Sequence, residues 1–139
     1  MILYAMCSTK VAIFLMLCVA LQNTIKLVGG MFPPTMINAQ GKTVPTSSLA
    51  GKVIGLYFSA KWCAPCRLVT PQLIQWFAEF KKSHPSSDKM EIVYISSDHD
   101  QDAFTEYFKE MTGFHALPFA ERRIKVCAVR LTYFTALTH

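Results

Sequence analysis

Two unbroken apolar runs constrain the fold of this chain more strongly than any other feature. The segment Lys52–Ala60 reads KVIGLYFSA and is apolar without interruption from Val53 to Phe58. The later segment MEIVYISS has the same character from Ile92 to Ile95. Continuous rather than alternating apolar character is typical of strands that are buried on both faces of a parallel sheet. We therefore predict two such strands at the centre of an α/β fold.

A helical pattern follows each of these runs. The first spans Cys66 to Lys82 and contains Pro71, which is expected to kink the helix. The second covers DHDQDAFTEYFKEM, with Asp98 as the expected N-cap and Gln101 three residues later. The order strand, helix, strand, helix predicts parallel strands joined by helical crossovers. The apolar residues at helical spacing are Val69, Leu73, Trp76, Phe77 and Phe80, then Phe104, Tyr107, Phe108 and Met111.

A pair of cysteines, Cys63 and Cys66, lies where the first strand gives way to the first helix. The free N–H groups and the dipole of the first helical turn favour a negative charge, so this position should lower the pKa of Cys63. A thiolate is the nucleophile in disulfide exchange, and the three-residue spacing brings Cys66 within its reach. A Cys-x-x-Cys pair beside a βαβ pattern therefore indicates a redox centre. The alternatives are inert buried thiols and a zinc half-site shared between two chains.

Four neighbouring residues are expected to tune this centre. Lys61 and Arg67 add positive charge near the first cysteine. Pro65 removes one backbone donor and stiffens the loop, which should affect the reduction potential. Trp62 is interpreted either as an apolar contact surface beside the nucleophile or as a core aromatic residue.

The composition excludes several other classes of function. The chain has 139 residues, enough for one domain with a real core. The net charge is +5 and the basic residues are scattered, so no nucleic-acid surface is predicted. The five cysteines are an odd number with irregular spacing, unlike a secreted disulfide framework. No second Cys-x-x-Cys motif exists to complete a metal site, and neither metal nor organic cofactor is predicted.

Three strings carry a family resemblance: GKVIGLYFSAKWCAPCRLVTPQL, VYISSDHDQDAFTEYFKEM and FHALPFAERR. They resemble the tryparedoxin and nucleoredoxin branch of the thioredoxin-like superfamily. The resemblance implies a thioredoxin-like α/β fold, a central sheet with flanking helices. It also implies a protein-disulfide reductase in cell redox homeostasis, with Cys63 attacking and Cys66 resolving. The implied partners are protein disulfide substrates and an upstream dithiol reductant; a non-enzymatic redox-sensitive interaction module and an inactive truncated fragment are the alternatives.

The chain departs from the family pattern at three places. Thioredoxins themselves have a buried acid six residues before the first cysteine, where this chain has Tyr57, and the branch usually has proline at position 64, where it has Ala64. The third departure follows Lys125. The family would continue with a strand preceded by a cis-proline, another strand and a final helix, whereas no proline follows Pro118 here. One side of the sheet is therefore expected to be missing, leaving a central strand exposed as an edge.

Residues 126–139 are accordingly interpreted as a tail outside the family. Val126-Cys127 can be encoded by GTATGT, which is how many introns begin, so the tail is consistent with a truncated gene model or a splice variant. The alternative is a divergent tail in which LTYFTAL pairs as a replacement edge strand.

Residues 1–26 form an apolar leader in this interpretation, and residues 27–125 form the thioredoxin-like domain. The run Val11–Leu21 is short for a membrane span and suits a signal-peptide core, an anchor or a misassigned start. The predicted location is the cytoplasm, with the nucleus as a further compartment. It changes to the secretory pathway if Val11–Leu21 is a signal sequence, and membrane attachment is expected only if that run is an uncleaved anchor.

Overall fold

The computed structural model describes residues 17–19 and 32–124, which form one mixed sheet with two helices. The strand order in the sheet is β1-β4-β5-β6-β2-β3. Three short 3-10 helices lie at Thr46–Leu49, Ser87–Lys89 and Phe119–Ile124. The strands are β1 (Leu17–Val19), β2 (Thr35–Asn38), β3 (Thr43–Pro45), β4 (Val53–Ser59), β5 (Met90–Ser96) and β6 (His115–Ala116), and the helices are α1 (Ala64–Ser83) and α2 (Gln101–Lys109).

Strands β4 and β5 form the centre of the sheet, as the two apolar runs predicted. They pair in parallel from Val53 opposite Met90 to Ser59 opposite Ser96. Almost every residue of both strands is buried, which confirms that the sheet is covered on both faces. The α/β thioredoxin-like architecture predicted from the sequence is therefore confirmed for the part of the chain that the structure describes.

Each face of the sheet has its own apolar core. Helices α1 and α2 pack on one face, where Tyr57 and Tyr94 meet Phe77 and Phe104. Fully burying one such large apolar side chain contributes about 1.5–3 kcal/mol, so this face supplies much of the stability. The core on the other face consists of Met36, Leu49, Ile54, Leu56, Val93, Ile95 and Leu117.

The predicted helices are present, with three differences in detail. Helix α1 begins at Ala64, closer to the cysteine pair than expected, and continues through Pro71. Trp76 is 44% exposed, so its assignment to the apolar stripe of α1 was wrong. The stripe of α2 is confirmed, but Asp100 rather than Asp98 caps this helix, accepting a hydrogen bond from the N–H of Ala103. Asp98 is buried and bonded elsewhere, which leaves the capping position to Asp100.

The hairpin β2–β3 flanks β6. Its strands, Thr35–Asn38 and Thr43–Pro45, are joined by a turn at 39–41. The side-chain oxygen of Asn38 accepts from the N–H groups of Gln40 and Lys42, and Gly41 supplies the positive φ of 75° that this turn requires.

Strand β4 is not left as an open edge along its whole length, contrary to expectation. Strand β1 pairs with it in antiparallel register, with Leu17 opposite Leu56 and Val19 opposite Ile54. The backbone N–H and C=O groups of the first half of β4 therefore gain partners from the apolar run near the N-terminus.

The remaining interpretations of the two ends of the chain lie outside the described residues. These are the leader, apart from β1, and the tail 126–139. Among the helices that the structure does describe, none combines the length and apolar character needed to span a membrane.

Candidate active site

The cysteine pair occupies the start of α1, at the carboxyl end of the central strand β4. Cys63 is the N-cap residue, and Pro65 lies in the first turn, where its missing N–H costs no helical hydrogen bond. Cys63 and Cys66 form a disulfide with their Cα atoms 5.2 Å apart. Cys66 is buried, whereas Cys63 is partly accessible. The accessible cysteine is thus the one beside the free N–H groups of the helix, where a thiolate is favoured.

Trp62 lies on the surface beside this disulfide, so its interpretation as a core residue was wrong. Its side chain is 60% exposed. The indole N–H donates to the carbonyl oxygen of Ser97 at 3.1 Å, and the ring stacks on His99 with centroids 5.6 Å apart. No pattern in the sequence marks His99, in the segment after β5, as a neighbour of Trp62. Together these contacts fix an exposed aromatic surface next to Cys63.

A groove of about 290 Å³ runs along this aromatic surface. Its walls combine aromatic rings with charged side chains, and three of its lining residues, Lys61, Trp62 and Arg67, lie within four positions of Cys63 in the sequence. The groove is lined by Lys61, Trp62, Arg67, Asp98, His99, Asp100 and Ala103.

The two cations predicted near the cysteines have different surroundings. Lys61 Nζ forms an ion pair with Glu106 on α2, so much of its charge is compensated. Arg67, on α1, is exposed and has no ion-pair partner among the described residues. Arg67 is therefore the stronger candidate for stabilising negative charge in the groove.

A cluster of buried hydroxyl groups lies beneath Cys66. Thr70 Oγ1 donates to the carbonyl oxygen of Cys66 at 2.8 Å. Since a hydroxyl has one hydrogen, the hydroxyls of Tyr57 and Tyr107 must donate to Thr70 rather than accept from it. Tyr107 in turn contacts the hydroxyl of Ser59 at 3.2 Å. Burial raises the pKa of Tyr57, so its hydroxyl keeps its proton.

A second polar cluster, centred on Asp98, holds the loop that precedes the cysteines. Oδ1 accepts the N–H of Lys61 at 2.7 Å, and Oδ2 accepts the hydroxyls of Tyr94 at 2.9 Å and Ser96 at 2.7 Å. The sequence does carry a signal for this cluster. Positions 94, 96 and 98 alternate along β5 and its extension, so their side chains fall on one face.

In the part of the chain that the structure describes, no group of three or more His, Cys, Asp or Glu side chains is arranged to hold a metal ion.

A parallel strand that ends at a Cys-x-x-Cys disulfide on a helix N-terminus defines the thioredoxin-like class of protein. A sequence model of the family described as Thioredoxin-like matches residues 51–133 of this chain. The chain belongs to this thioredoxin-like oxidoreductase family, in the branch that contains nucleoredoxins and tryparedoxins.

Individual relatives support the same assignment. The chain is 41% identical over 88 residues to probable nucleoredoxin 1 of Arabidopsis thaliana, covering 63% of this chain and 14% of that protein. It is also 41% identical over 88 residues to the tryparedoxin of Trypanosoma brucei brucei, covering 63% of this chain and 58% of that protein. The crystal structure of tryparedoxin I from Crithidia fasciculata superposes with a TM-score of 0.58 at 38% identity, covering 72% and 64% of the two chains. The chain thus spans only a small part of the nucleoredoxin it matches.

Proposed function

We propose that this protein is a thiol-disulfide oxidoreductase that reduces protein disulfides through Cys63 and Cys66. The observation that carries the proposal is the placement of this disulfide at the N-terminus of α1, with one accessible and one buried cysteine. Membership of the thioredoxin-like family supports redox chemistry at this pair.

The proposed reaction starts from the reduced protein. The thiolate of Cys63 attacks one sulfur of a substrate disulfide, forming a mixed disulfide and releasing the other substrate sulfur as a thiolate that takes up a proton. Cys66 then loses its proton and attacks the sulfur of Cys63, which releases the second substrate thiol. Two electrons pass to the substrate, and the protein is left with the Cys63–Cys66 disulfide. An upstream dithiol reverses these steps and regenerates the reduced form.

The neighbouring residues have separate roles in this proposal. Trp62 provides an apolar platform for the substrate segment next to its disulfide, and the groove beside it accommodates the flanking chain. Arg67 stabilises the attacking and leaving thiolates, with a smaller contribution from the paired Lys61. Pro65 stiffens the first turn between the two cysteines. We place this activity in the cytoplasm or nucleus, where thiols are kept reduced and a Cys-x-x-Cys pair is usually catalytic or metal-binding.

Single serine variants test the proposal. With insulin as substrate and dithiothreitol as electron donor, Cys63→Ser should abolish the acceleration of disulfide reduction over dithiothreitol alone. Reduced Cys66→Ser, freed of dithiothreitol before insulin is added, should instead accumulate a mixed disulfide that nonreducing electrophoresis and mass spectrometry detect. Cys127→Ser, a cysteine outside the pair, is the matched control and should keep full activity. Reduction of insulin by Cys63→Ser would disprove the mechanism, and a dithiol that titrates without turning over insulin would indicate an interaction module.

A further inference from the structure

A buried carboxylate lies directly under the loop that carries the cysteine pair. Asp98 is only 4% exposed, yet both of its oxygens are hydrogen-bonded. Each of its three contacts with Lys61, Tyr94 and Ser96 is made by an N–H or O–H donor. A carboxyl group that only accepts has the pattern of an ionised carboxylate. Three donors converging on its two oxygens suit an ionised Asp98 side chain.

The loop and the carboxylate are connected by a short path. The N–H that Oδ1 accepts belongs to Lys61, two residues before Cys63. The residue between them, Trp62, is held by the carbonyl of Ser97, the residue that precedes Asp98. The segment after β5 thus holds the segment before α1 by two adjacent hydrogen bonds. A change at Asp98 should be felt at Cys63 through both its charge and this anchoring.

Titratable and charged groups surround Asp98 on several elements. Burial raises the pKa of Tyr94, and the charge of Asp98 raises it further. The groups that face the carboxylate or line the same groove are Tyr94 on β5, His99 and Asp100 after it, Lys61 with its partner Glu106, and Arg67 on α1.

We propose that Asp98 is a positioning residue of the dithiol centre, whose buried negative charge limits the stability of the Cys63 thiolate. This inference rests on the proposed redox role of Cys63 and Cys66. A nearby negative charge disfavours a second one, so Asp98 opposes the helix N-terminus and Arg67. A less stable thiolate makes the reduced protein a stronger electron donor, because stabilising the reduced form is what makes a dithiol protein oxidising. Asp98 then keeps the dithiol centre a reductant. Thioredoxins themselves have a buried acid six residues before the first cysteine, and this chain has Tyr57 at that position on β4.

The test compares purified wild-type protein with Asp98→Asn in the absence of any substrate. The amide is nearly isosteric and can keep the bond to the Lys61 N–H while removing the charge. Alkylation of Cys63 by iodoacetamide, followed against pH, should show a lower thiol pKa in the variant. Equilibration with glutathione should give a ratio of reduced to oxidised protein about tenfold higher, which corresponds to a potential about 30 mV less negative.

Two further variants make the outcome decisive. Asp100→Asn also removes one negative charge from the lining of the groove, but this charge lies on the exposed N-cap of α2. It should therefore change the glutathione equilibrium by less than about twofold. Ser96→Ala removes one donor from Asp98 while leaving its charge, and should raise the pKa of Cys63. If Asp98→Asn does not fold, Ser96→Ala decides. A pKa and potential equal to wild type in the folded variants would overturn the proposal.

These measurements also separate the two proposals. Neither readout needs a protein substrate, so a protein that fails to reduce insulin can still show the effect of Asp98. Conversely, insulin reduction that depends on Cys63 would stand even if Asp98→Asn left the potential unchanged.

Discussion

The hydroxyl groups of Tyr57 and Thr70 share a buried hydrogen bond of 2.6 Å that joins the central strand β4 to the first turns of α1. Thr70 is completely enclosed, at 1% exposure, and it also bonds to Cys66 and Tyr107. One small side chain therefore connects the strand, both helices and the backbone of the second cysteine.

Thr70→Val should destabilise the protein without changing the shape of the core. The substitution is close to isosteric, but it removes the acceptor that Thr70 Oγ1 offers to the buried hydroxyls of Tyr57 and Tyr107. A buried polar group that loses its partner costs about 1–3 kcal/mol, and we expect a loss of that size in denaturant unfolding. Thr105→Val is the matched control, since Thr105 makes the same bond to a carbonyl four residues earlier but is exposed. Equal effects of the two substitutions would show that the buried cluster adds nothing.

Trp62→Ala should weaken substrate binding more than it slows the chemical steps. The exposed indole offers a large apolar contact beside Cys63, and loss of about 1–2 kcal/mol of binding free energy raises KM about 5–30-fold. Steady-state reduction of insulin separates KM from kcat. Trp76→Ala, an exposed tryptophan further along α1, should leave KM unchanged. A fall in kcat with an unaltered KM would contradict the role of Trp62 as a substrate contact.

Arg67→Gln should raise the pKa of the Cys63 thiol more than Lys61→Gln does. Both cations are close to Cys63 in the sequence, but the ammonium group of Lys61 is held by Glu106 on α2. Replacing Lys61 with glutamine removes that ion pair and leaves the Glu106 carboxylate at the exposed surface. Alkylation rates measured against pH give both values directly. Because the guanidinium is exposed, the difference should shrink as salt is added. The opposite order of the two effects would show that Arg67 does not face the thiolate.

Glu91→Gln should destabilise the end of the sheet opposite the cysteine pair. The Glu91 carboxylate is largely buried and accepts from Lys52 at 2.9 Å and Lys81 at 3.1 Å. Charged hydrogen bonds of this kind contribute about 1.5–3 kcal/mol, and partial exposure of both lysines reduces the expected loss to about 1–2 kcal/mol. Glu106→Gln, which breaks the exposed pair with Lys61, should cost less than about 0.5 kcal/mol in the same unfolding experiment. Equal losses would contradict the importance of burial.

Acidification should destabilise the protein through His115. Burial lowers its pKa first of all; Glu91 acts in the opposite direction, and Lys52 and Lys81 lower it further. The folded protein therefore binds this proton less readily than the unfolded chain, whose histidine pKa is about 6.5. The stability contributed by neutral His115 is full above that pH and is lost as the pH falls from about 6.5 through the folded pKa. His115→Gln should flatten this part of the stability profile measured by urea unfolding, and an unchanged slope would assign it to other groups.

The central elements could be predicted because their signals are local. The segments that form β4 and β5 lack the alternation of apolar and polar residues expected of a sheet with one face in solvent, and both strands are buried. The position of Cys63 follows from the change from a strand pattern to a helix pattern. The apolar stripe was readable for the same reason: Phe104, Tyr107 and Phe108 on α2, and Met111 just after it, are all buried.

Features that depend on tertiary geometry could not be predicted in the same way. Asp98, Asp100 and Asp102 are spaced by two residues around the start of α2, and each has the chemistry of a cap. Only the packing of Tyr94 against the helices decides that Asp98 turns inward and Asp100 caps. The exposure of Trp62 is equally non-local, because it depends on a carbonyl and a ring from the segment after β5.

The pairing of β1 with β4 bears on how this protein can be handled. Three residues near the N-terminus cover the backbone of Ile54–Leu56, in the strand that leads to the cysteines. Recombinant protein that starts at residue 27 would present that backbone to solvent as a template for strand addition. Such a sample should associate through intermolecular sheets as its concentration rises, and a charged residue introduced beside Ile54 would be a remedy. The boundaries chosen for expression therefore decide whether activity is measured on single molecules or on aggregates.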